Sequence, residues 1–179
     1  DPRPSLPSIV RMVEKGFELS EASNTPVMLE LRIRACHVTG SFETKDNIVP
    51  KFSRRNPITK PVFNLERIPL PPHNYTQEKL KIDVRLPEAL KFIQREQLNE
   101  FFPGERAELG ILCQGGMYNA AIRALQQLGL ADAFGASRIP IYCMNVTYPP
   151  VPEEIVKFCA GKREVLVIEE GQPAYIEDA

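Results

Sequence analysis

The sequence predicts an α/β fold in which a parallel sheet carries helices on both faces. Three short apolar runs of strand length occur at residues 108–114, 138–146 and 163–171. The segments between them have helical spacing, so the predicted order is strand, helix, strand, helix, strand. This alternation is typical of parallel strands joined by crossover helices. Ahead of this unit the sequence predicts a helix, a strand and a proline-rich connector.

The first crossover helix is predicted from a stripe of apolar residues that follows the glycine pair at the end of the first strand. The stripe recurs at helical spacing and comprises Met117, Ala120, Ala121, Ala124, Leu125 and Leu128. Gly129 suits the position just beyond the last turn of such a helix. Residues 148–161 predict a second, shorter helix, with acidic residues in its first turn and a glycine at its end.

The N-terminal part predicts one helix followed by one strand. Apolar residues at positions 9, 12, 13, 16 and 17 predict a helix over 9–18, with Ser8 as its N-cap. Residues 27–35 then alternate strictly, with Val27, Leu29, Leu31, Ile33 and Ala35 on one side. Strict alternation is typical of a half-buried strand, and this one is expected at or near a sheet edge.

The stretch between these two parts predicts an extended connector. Residues 40–75 are rich in proline and have no period, so a regular ladder of main-chain N–H donors is excluded. Scattered apolar side chains, among them Phe42, Leu65 and Tyr75, are expected to anchor it to a domain surface. After the connector, Pro87 and the spacing of the apolar residues that follow predict a helix ending near Phe102.

Composition excludes several classes of function. The 179 residues carry a net charge of −1, which gives no strong field for nucleic acid or an acidic membrane. No apolar run approaches the ~20 residues that span a bilayer, and no signal peptide is visible, so we expect a cytoplasmic protein. The cysteines at positions 36, 113, 143 and 159 form no CxxC unit, and with two histidines they predict no metal site. Both ends look cut, so we expect a segment of a longer chain.

The main candidate site is the turn from the first apolar strand into its helix. Gly115, Gly116, Tyr118 and Asn119 lie where free main-chain N–H groups at a helix N-terminus favour a phosphate or carboxylate. The pattern is neither GxGxxG nor GxxxxGK[ST], however. The alternative is a tight turn that lets strand and helix pack closely, and the sequence favours that structural interpretation.

Secondary candidates lie at the ends of two predicted strands. Glu169 and Glu170 close the third apolar run, where carboxylates in parallel sheets are sometimes catalytic. Arg34 and His37 end the alternating run, where a histidine can act as an acid, a base or an anion ligand. The alternatives are capping or interface carboxylates and a hydrogen-bonded structural histidine. No catalytic residue is assigned.

Two stretches carry a resemblance to a known family. Residues 108–130 and 139–178 read as a strand, a small-residue turn followed by Tyr–Asn, a helix ending LGL, a strand, YPP and a strand ending in EE. This order resembles the large (alpha) subunit of indolepyruvate ferredoxin oxidoreductases, and its second half also resembles the C-terminal domain of transketolase-like enzymes. Residues 25–37, TPVMLELRIRACH, resemble the last strand of the family's pyrimidine-binding thiamine domain.

The resemblance implies a division into three parts. Residues 1–40 would be the tail end of a pyrimidine-binding thiamine domain, and residues 41–104 the connector plus a helix. Residues 105–179 would be a transketolase C-terminal-like α/β domain, truncated at its end. The resembled motifs that hold thiamine diphosphate, magnesium and iron–sulfur clusters are absent from this segment. We therefore expect no cofactor in it and no activity of its own.

The resemblance also implies what a longer parent protein does. The parent would oxidatively decarboxylate aryl 2-oxoacids such as indolepyruvate to acyl-CoA, using thiamine diphosphate, magnesium and 4Fe-4S clusters. Its partners would be ferredoxin, coenzyme A and the remaining domains or subunits, and a homodimer is expected, with no nucleic acid and no membrane. Two alternatives stay open: an independent nucleotide- or anion-binding domain that uses the Gly115–Gly116 turn, and a module that only pairs two copies of the parent.

Overall fold

The computed structural model of the chain describes residues 1–48, 64–68, 70–171 and 174–179, without the side chain of Arg34. Its helices are α1 (Leu6–Ser23), α2 (Ile33–Cys36), α3 (His73–Leu80), α4 (Leu86–Arg95), α5 (Tyr118–Gln127), α6 (Pro152–Cys159) and α7 (Tyr175–Asp178). Its strands are β1 (Glu100–Phe102), β2 (Leu109–Gln114), β3 (Ile141–Met144) and β4 (Glu164–Ile168). A π-helical turn, Lys81–Arg85, joins α3 to α4.

The four strands form one sheet in the order β1-β3-β2-β4. The central strand β2 pairs in parallel with β3 on one side and with β4 on the other. These are the three strands that the apolar runs predict, so the predicted α/β class with a parallel sheet is confirmed. The sheet also has an antiparallel edge strand, β1, which pairs with β3 and was not predicted.

Helices cover both faces of the sheet, as predicted. On one face, α5 packs Tyr118, Ile122 and Leu125 against buried residues of β2 and β3. On the other face, Phe158 of α6 joins a cluster that includes Tyr142, which is fully buried. Alternate residues of β2 and β3 therefore enter two different cores, which is why these strands read as unbroken apolar runs.

The predicted helix ending near Phe102 is wrong at its C-terminal end. The helix ends at Arg95, and Gln97 adopts a left-handed conformation with φ 49°. Residues 100–102 then form β1, with Glu100 opposite Cys143. The apolar residues Leu98 and Phe101 fit a helical spacing by number alone, whereas the backbone N–H and C=O groups of β1 find partners on β3.

The predicted strand over residues 27–35 is also wrong. Residues 26–32 are irregular, and Ile33–Cys36 form a short helical turn. A strand needs a neighbour for its main-chain N–H and C=O groups, and within the described residues no other strand pairs with this segment. Met28 and Ile33, which lie on opposite sides of the alternating pattern, are 90% and 79% exposed, so alternation here does not mark a buried face.

The first helix is longer than predicted and begins earlier. It starts at Leu6, with the Ser5 hydroxyl accepting the N–H of Ser8, so Ser5 rather than Ser8 is the N-cap. Its buried residues Met12 and Leu19 pack in a third cluster with α4, whose Ile93 is fully buried. This pair of helices lies beside the sheet and adds to the protein's core.

The prediction of an extended connector is tested only in part. Residues 49–63 and 69 lie outside the described residues. Of the side chains expected to anchor the connector, Phe42 is 43% exposed, Leu65 66% and Tyr75 72%. In the part of the chain that the structure describes, these three side chains are therefore partly or largely exposed, and buried anchoring is not confirmed for them.

Replacing Gly16 by alanine is expected to stabilise the fold by about 0.5–1 kcal/mol, because Gly16 lies inside α1 and glycine is a poor helix former. An added Cβ would lie 3.7 Å from Cγ1 of Val27, an ordinary contact. Urea unfolding followed by circular dichroism measures the change. A loss of stability would show that α1 is packed more tightly at this position than the structure indicates.

Candidate functional site

The carboxyl ends of β2, β3 and β4 meet at one edge of the sheet, where ligands commonly bind in open α/β folds. Gln114 ends β2, Asn145 follows β3, and Glu169 and Glu170 follow β4. Gly115–Met117 form a 3₁₀ turn that leads directly into α5. The residues of the predicted site therefore lie at this edge. What they can bind depends on the residues that pack around them.

The glycine pair is covered by the chain's own N-terminal residues. A Cβ added to Gly115 would collide with the main-chain oxygen of Asp1 and would lie 2.8 Å from the main-chain nitrogen of Arg3. A Cβ added to Gly116 would collide with the guanidinium of Arg32 and lie 2.5 Å from Oδ1 of Asp1. Glycine is needed at both positions because residues 1–3 and Arg32 approach the turn so closely.

Arg32 forms ion pairs with two carboxylates at this edge. Its Nε and Nη2 donate to Oδ2 of Asp1 at 3.0 and 2.8 Å, and Nη2 also donates to Oε1 of Gln114 at 2.6 Å. Its Nη1 forms an ion pair with the carboxylate of Glu170. The Asp1 side chain is only 2% exposed and that of Arg32 only 16%, so this pair is largely shielded from water. The Asp1 carboxylate lies beside the α5 N-terminus, at the position that the sequence offers as a candidate for an external anion.

A second arginine, Arg3, fixes residues 1–3 to β1. Nε and Nη2 of Arg3 donate to the two carboxylate oxygens of Glu100, both at 2.9 Å. The guanidinium also lies over the rings of Phe102 and Tyr118, 5.5 and 5.3 Å from their centroids. The main-chain N–H of Arg3 donates to Oδ1 of Asn145 at 2.8 Å. Residues 1–3 are thus held by ionic, aromatic and main-chain contacts together.

The pKa of Glu100 is set by opposing effects. Partial burial raises the pKa of its carboxyl group, but the hydrogen bonds from Arg3 and Asn145 lower that pKa by more. The pKa of Glu100 therefore lies below its ordinary value. Asn145 donates to Oε2 of Glu100 at 3.0 Å and to the main-chain oxygen of Leu98 at 2.8 Å. Glu100 is therefore held ionised in the folded chain.

Stability is expected to fall in acid partly through Glu100. The pKa of Glu100 is lower in the folded chain than in the unfolded chain. Its contribution to the free energy of unfolding is therefore present above the unfolded pKa of about 4.3 and is lost as the pH falls through the folded pKa. Glu100→Gln removes this titration, so the free energy of unfolding of the variant should fall less than that of the wild type between about pH 6 and about pH 3, the carboxyl range. Urea unfolding across that range measures it. An identical pH dependence for both proteins would show that the Arg3–Glu100 pair contributes nothing.

A buried polar network lies on the α6 side of the same edge. The Tyr142 hydroxyl donates to Glu154 at 2.7 Å, and Nδ2 of Asn99 donates to both the Tyr142 oxygen and Glu154. Burial, and then the bond to Glu154, raise the pKa of Tyr142 well above its usual value. Oδ1 of Asn99 accepts the N–H of Val146 at 3.0 Å. This network ties α6 to the sheet and leaves its polar groups satisfied.

The structure brings the four main predicted site residues together around residues 1–4. Gly115 and Gly116 contact Asp1, Tyr118 packs under Arg3, and Nδ2 of Asn119 donates to the main-chain oxygen of Pro4 at 3.1 Å. Their contacts within the described residues are therefore internal to the chain. Contact with coenzyme A or another anion stays a prediction.

The secondary candidates separate into two groups. Glu170 joins the edge through Arg32, whereas both carboxylate oxygens of Glu169 accept the N–H of Ile176, at 3.1 and 3.0 Å, at the start of α7. His37 is exposed beyond α2, and the side chain of Arg34 lies outside what the structure describes. The described side chains of these candidates therefore lie apart from one another, and a functional role for them stays a prediction.

Sequence reasoning missed the residues that close the edge, four of them charged and one an amide: Asp1, Arg3, Arg32, Glu100 and Asn145. Their partners lie far apart along the chain, 97 residues in the case of Arg3 and Glu100. The interpretation of residues 27–35 as a strand also placed Arg32 on an outer polar face. Only the positions of Glu170 and the glycine pair, at predicted strand ends, gave a signal.

A cavity of about 610 Å³ remains beside the turn. Its polar lining includes Arg32, Asn119, Arg123 and Glu170, and Gly116 lies in its wall. Arg123 is exposed on α5, one turn beyond Asn119. The opening is the part of the edge that residues 1–4 leave accessible.

The described residues do not fit the cofactors of the resembled family. They contain no group of three or more His, Cys, Asp or Glu side chains able to hold a metal ion. Cys113 and Cys143 are buried opposite each other on β2 and β3, while Cys36 is exposed and Cys159 half-buried, so the four thiols are dispersed. A diphosphate at the α5 N-terminus would meet the Asp1 carboxylate.

Comparison with known proteins finds two curated relatives. The chain is 29% identical over 176 residues, 95% of its length, to the indolepyruvate oxidoreductase subunit IorA of Methanothermobacter thermautotrophicus. It is 28% identical over 172 residues to the same subunit of Methanothermobacter marburgensis. The chain is similar to a segment of indolepyruvate oxidoreductase subunit IorA. The resemblance drawn from the sequence is confirmed.

The matches extend further along the chain than the resembling motifs do, and they include the connector. The chain spans about a quarter of the length of the curated relatives it matches, 26% and 25%. No family model and no solved structure matches it. In the described residues no helix is both long and apolar enough to cross a membrane.

Proposed function

We propose that this chain is a non-catalytic structural segment of an indolepyruvate oxidoreductase subunit. In this proposal the whole subunit oxidatively decarboxylates aryl 2-oxoacids such as indolepyruvate to acyl-CoA and passes electrons to ferredoxin. Thiamine diphosphate, magnesium and 4Fe-4S clusters are held by other domains or subunits. The name of the two relatives supports the oxidoreductase part. The cofactors, ferredoxin, coenzyme A and a cytoplasmic location are extensions of the resemblance.

One observation carries the non-catalytic role. The carboxyl edge of the sheet, where an independent α/β protein would bind its ligand, is filled by Asp1, Arg3 and Arg32 of the chain itself. These residues pair their charges with Glu100 and Glu170 rather than leaving them for a ligand. The segment's role is then to hold the polypeptide that precedes the sheet in a fixed position against it.

A thermal-shift titration tests this proposal. The chain is titrated separately with thiamine diphosphate and magnesium, with coenzyme A, and with ATP, ADP and NAD. A ligand that binds only the folded state raises the melting temperature by mass action. We expect no shift with any of them. A saturable shift with thiamine diphosphate would place a cofactor in this segment and contradict the proposal.

The second candidate function is nucleotide or anion binding beside the Gly115–Gly116 turn. The observation that favours it is the cavity lined by Arg32, Asn119 and Arg123. A saturable shift with a nucleotide but not with coenzyme A would establish this function instead. A shift with coenzyme A alone would assign part of the parent's substrate site to this segment. Arg123→Ala should abolish either shift, with the exposed Arg163→Ala as the matched control.

A further inference from the structure

Two cysteines lie side by side in the core of the sheet. Cys113 on β2 is directly opposite Cys143 on β3 in the parallel register. Both side chains belong to the hydrophobic cluster that packs against α5, so they project from the same face of the sheet. Both residues are 0% exposed. The register therefore sets two buried thiols next to each other.

The spacing of the two strands suits a disulfide bond between these thiols. Neighbouring strands lie about 4.8 Å apart, and disulfides join cysteines whose Cα atoms are about 4.4–6.8 Å apart. The adjacent residues Leu112 and Tyr142 enter the core on the opposite face of the sheet. Because both strands are fixed by packing on both faces, the cysteines stay opposite each other, and no change of register is needed for the sulfurs to bond.

The surroundings keep Cys143 protonated and leave Cys113 to react first. The Sγ of Cys143 donates to Oδ1 of Asn145 at 3.9 Å. The interaction with Cys113, and then burial, raise the pKa of the Cys143 thiol. Since the thiolate is the reactive form of a cysteine, an oxidant reacts first with Cys113, and Cys143 is the second thiol to react.

The pair lies close to the ends of both strands. Gln114 ends β2 and Met144 ends β3, each one residue beyond a cysteine. Local opening costs less free energy at the end of an element than at its centre. A small uncharged oxidant such as hydrogen peroxide can therefore reach the sulfurs while the rest of the sheet stays folded.

We propose that Cys113 and Cys143 are a redox-sensitive pair that forms a reversible disulfide when the chain meets a peroxide. The Cys113 sulfur, as its thiolate, attacks one peroxide oxygen and becomes a sulfenic acid, while the O–O bond breaks and the departing hydroxide takes up the Cys113 proton as water. The Cys143 sulfur then attacks the sulfenic sulfur. The S–O bond breaks, and hydroxide leaves with the Cys143 proton as a second water. The two thiols lose two electrons, and the peroxide is reduced to two water molecules.

The disulfide connects the redox state of the chain to the carboxyl edge of the sheet. Asn145 loses the thiol that donates to its Oδ1, and the same oxygen accepts the main-chain N–H of Arg3. A small thiol restores the reduced pair by thiol–disulfide exchange. The inference does not depend on the proposed oxidoreductase role.

Peroxide oxidation of the folded chain tests the pair. Cys36→Ser and Cys159→Ser are introduced together first, because these exposed and half-buried thiols would react as well. The chain is treated with hydrogen peroxide, its free thiols are counted after unfolding in urea, and its intact mass and peptides are measured by mass spectrometry. We expect both remaining thiols to disappear, two hydrogen atoms to be lost per chain, and Cys113 to be linked to Cys143. Dithiothreitol should restore both thiols.

A chain that keeps Cys113 and Cys159 instead is the matched control. It carries Cys36→Ser and Cys143→Ser and has the same number of thiols, but Cys159 packs on the opposite face of the sheet. We expect no disulfide within this control chain, and circular dichroism confirms that both chains are folded.

Three results would overturn the proposal. The chain with Cys113 and Cys143 could keep both thiols after treatment, or it could gain oxygen without forming the cross-link. The control could also form an internal disulfide to the same extent, which would show that the register of β2 and β3 is not what brings the sulfurs together.

Discussion

Replacing Arg32 by alanine is expected to destabilise the chain by about 3–5 kcal/mol, the range for removing one partner of a buried ion pair. The loss is large because the Asp1 carboxylate, whose side chain is 2% exposed, would be left buried without a counter-charge. Gln114 and Glu170 would lose their bonds to the guanidinium as well. Urea unfolding monitored by circular dichroism measures the difference.

Arg123→Ala is the matched control for this prediction. It removes the same side chain from an exposed position on α5 and should change stability by no more than about 0.5 kcal/mol. Asp1→Asn, made in the wild type and in Arg32→Ala, should give non-additive effects, since the two side chains share one interaction. Equal effects of Arg32→Ala and Arg123→Ala would show that Arg32 does not hold the edge together.

Replacing Gly115 by alanine is expected to destabilise the chain by about 1–3 kcal/mol, the usual cost of overpacking. The added methyl group would collide with main-chain atoms of Asp1, and backbone cannot move aside as a flexible side chain can. Residues 1–3 must therefore shift from the turn, which also weakens the Arg3–Glu100 pair. The free energy of unfolding in urea measures the cost.

Gly40→Ala controls for the loss of a glycine as such. Its added Cβ would lie 3.6 Å from Cδ1 of Leu6, an ordinary contact, so we expect a change within about 0.5 kcal/mol. If Gly115→Ala were as harmless as Gly40→Ala, the N-terminal residues would not cover the turn in solution.

The sequence predicted the second half of the fold well because the signals there are local. Each of β2, β3 and β4 is an apolar run of strand length, and α5 is an apolar stripe between Gly116 and Gly129. Both faces of β2 and β3 are buried, so their composition alone marks them as strands. The crossover rule then fixed a parallel sheet with helices on both faces.

The strand predictions for the first half were wrong because the pairing of a strand depends on a second segment as well as on its own sequence. Residues 27–35 alternate as a strand does, yet a strand forms only where a second strand accepts its hydrogen bonds, and none in the described residues does. Residues 100–102 show no such pattern but pair with β3. The choice between the two depends on distant parts of the chain.

The candidate residues lie at strand ends, as the sequence places them, but the residues that surround them were not predictable, and their role as a binding site stays a prediction. The need for glycine at positions 115 and 116 comes from residues 1–3 and Arg32, rather than from close packing of β2 and α5 as the sequence suggested. Tertiary contacts decide which arginine is buried beside which carboxylate. Arg32 is 31 positions from Asp1 along the chain, and Arg3 is 97 positions from Glu100. No local pattern records such pairs.

The chain's own residues occupy the carboxyl edge of the sheet. The most direct test is to follow the amide signals of Gly115 and Gly116 in a ¹⁵N-labelled sample by NMR while coenzyme A, ADP or inorganic phosphate is added. We predict that both signals stay in place in the wild type throughout each titration. A saturable movement of these two signals would show that the turn binds an external anion and would contradict the structural role proposed here.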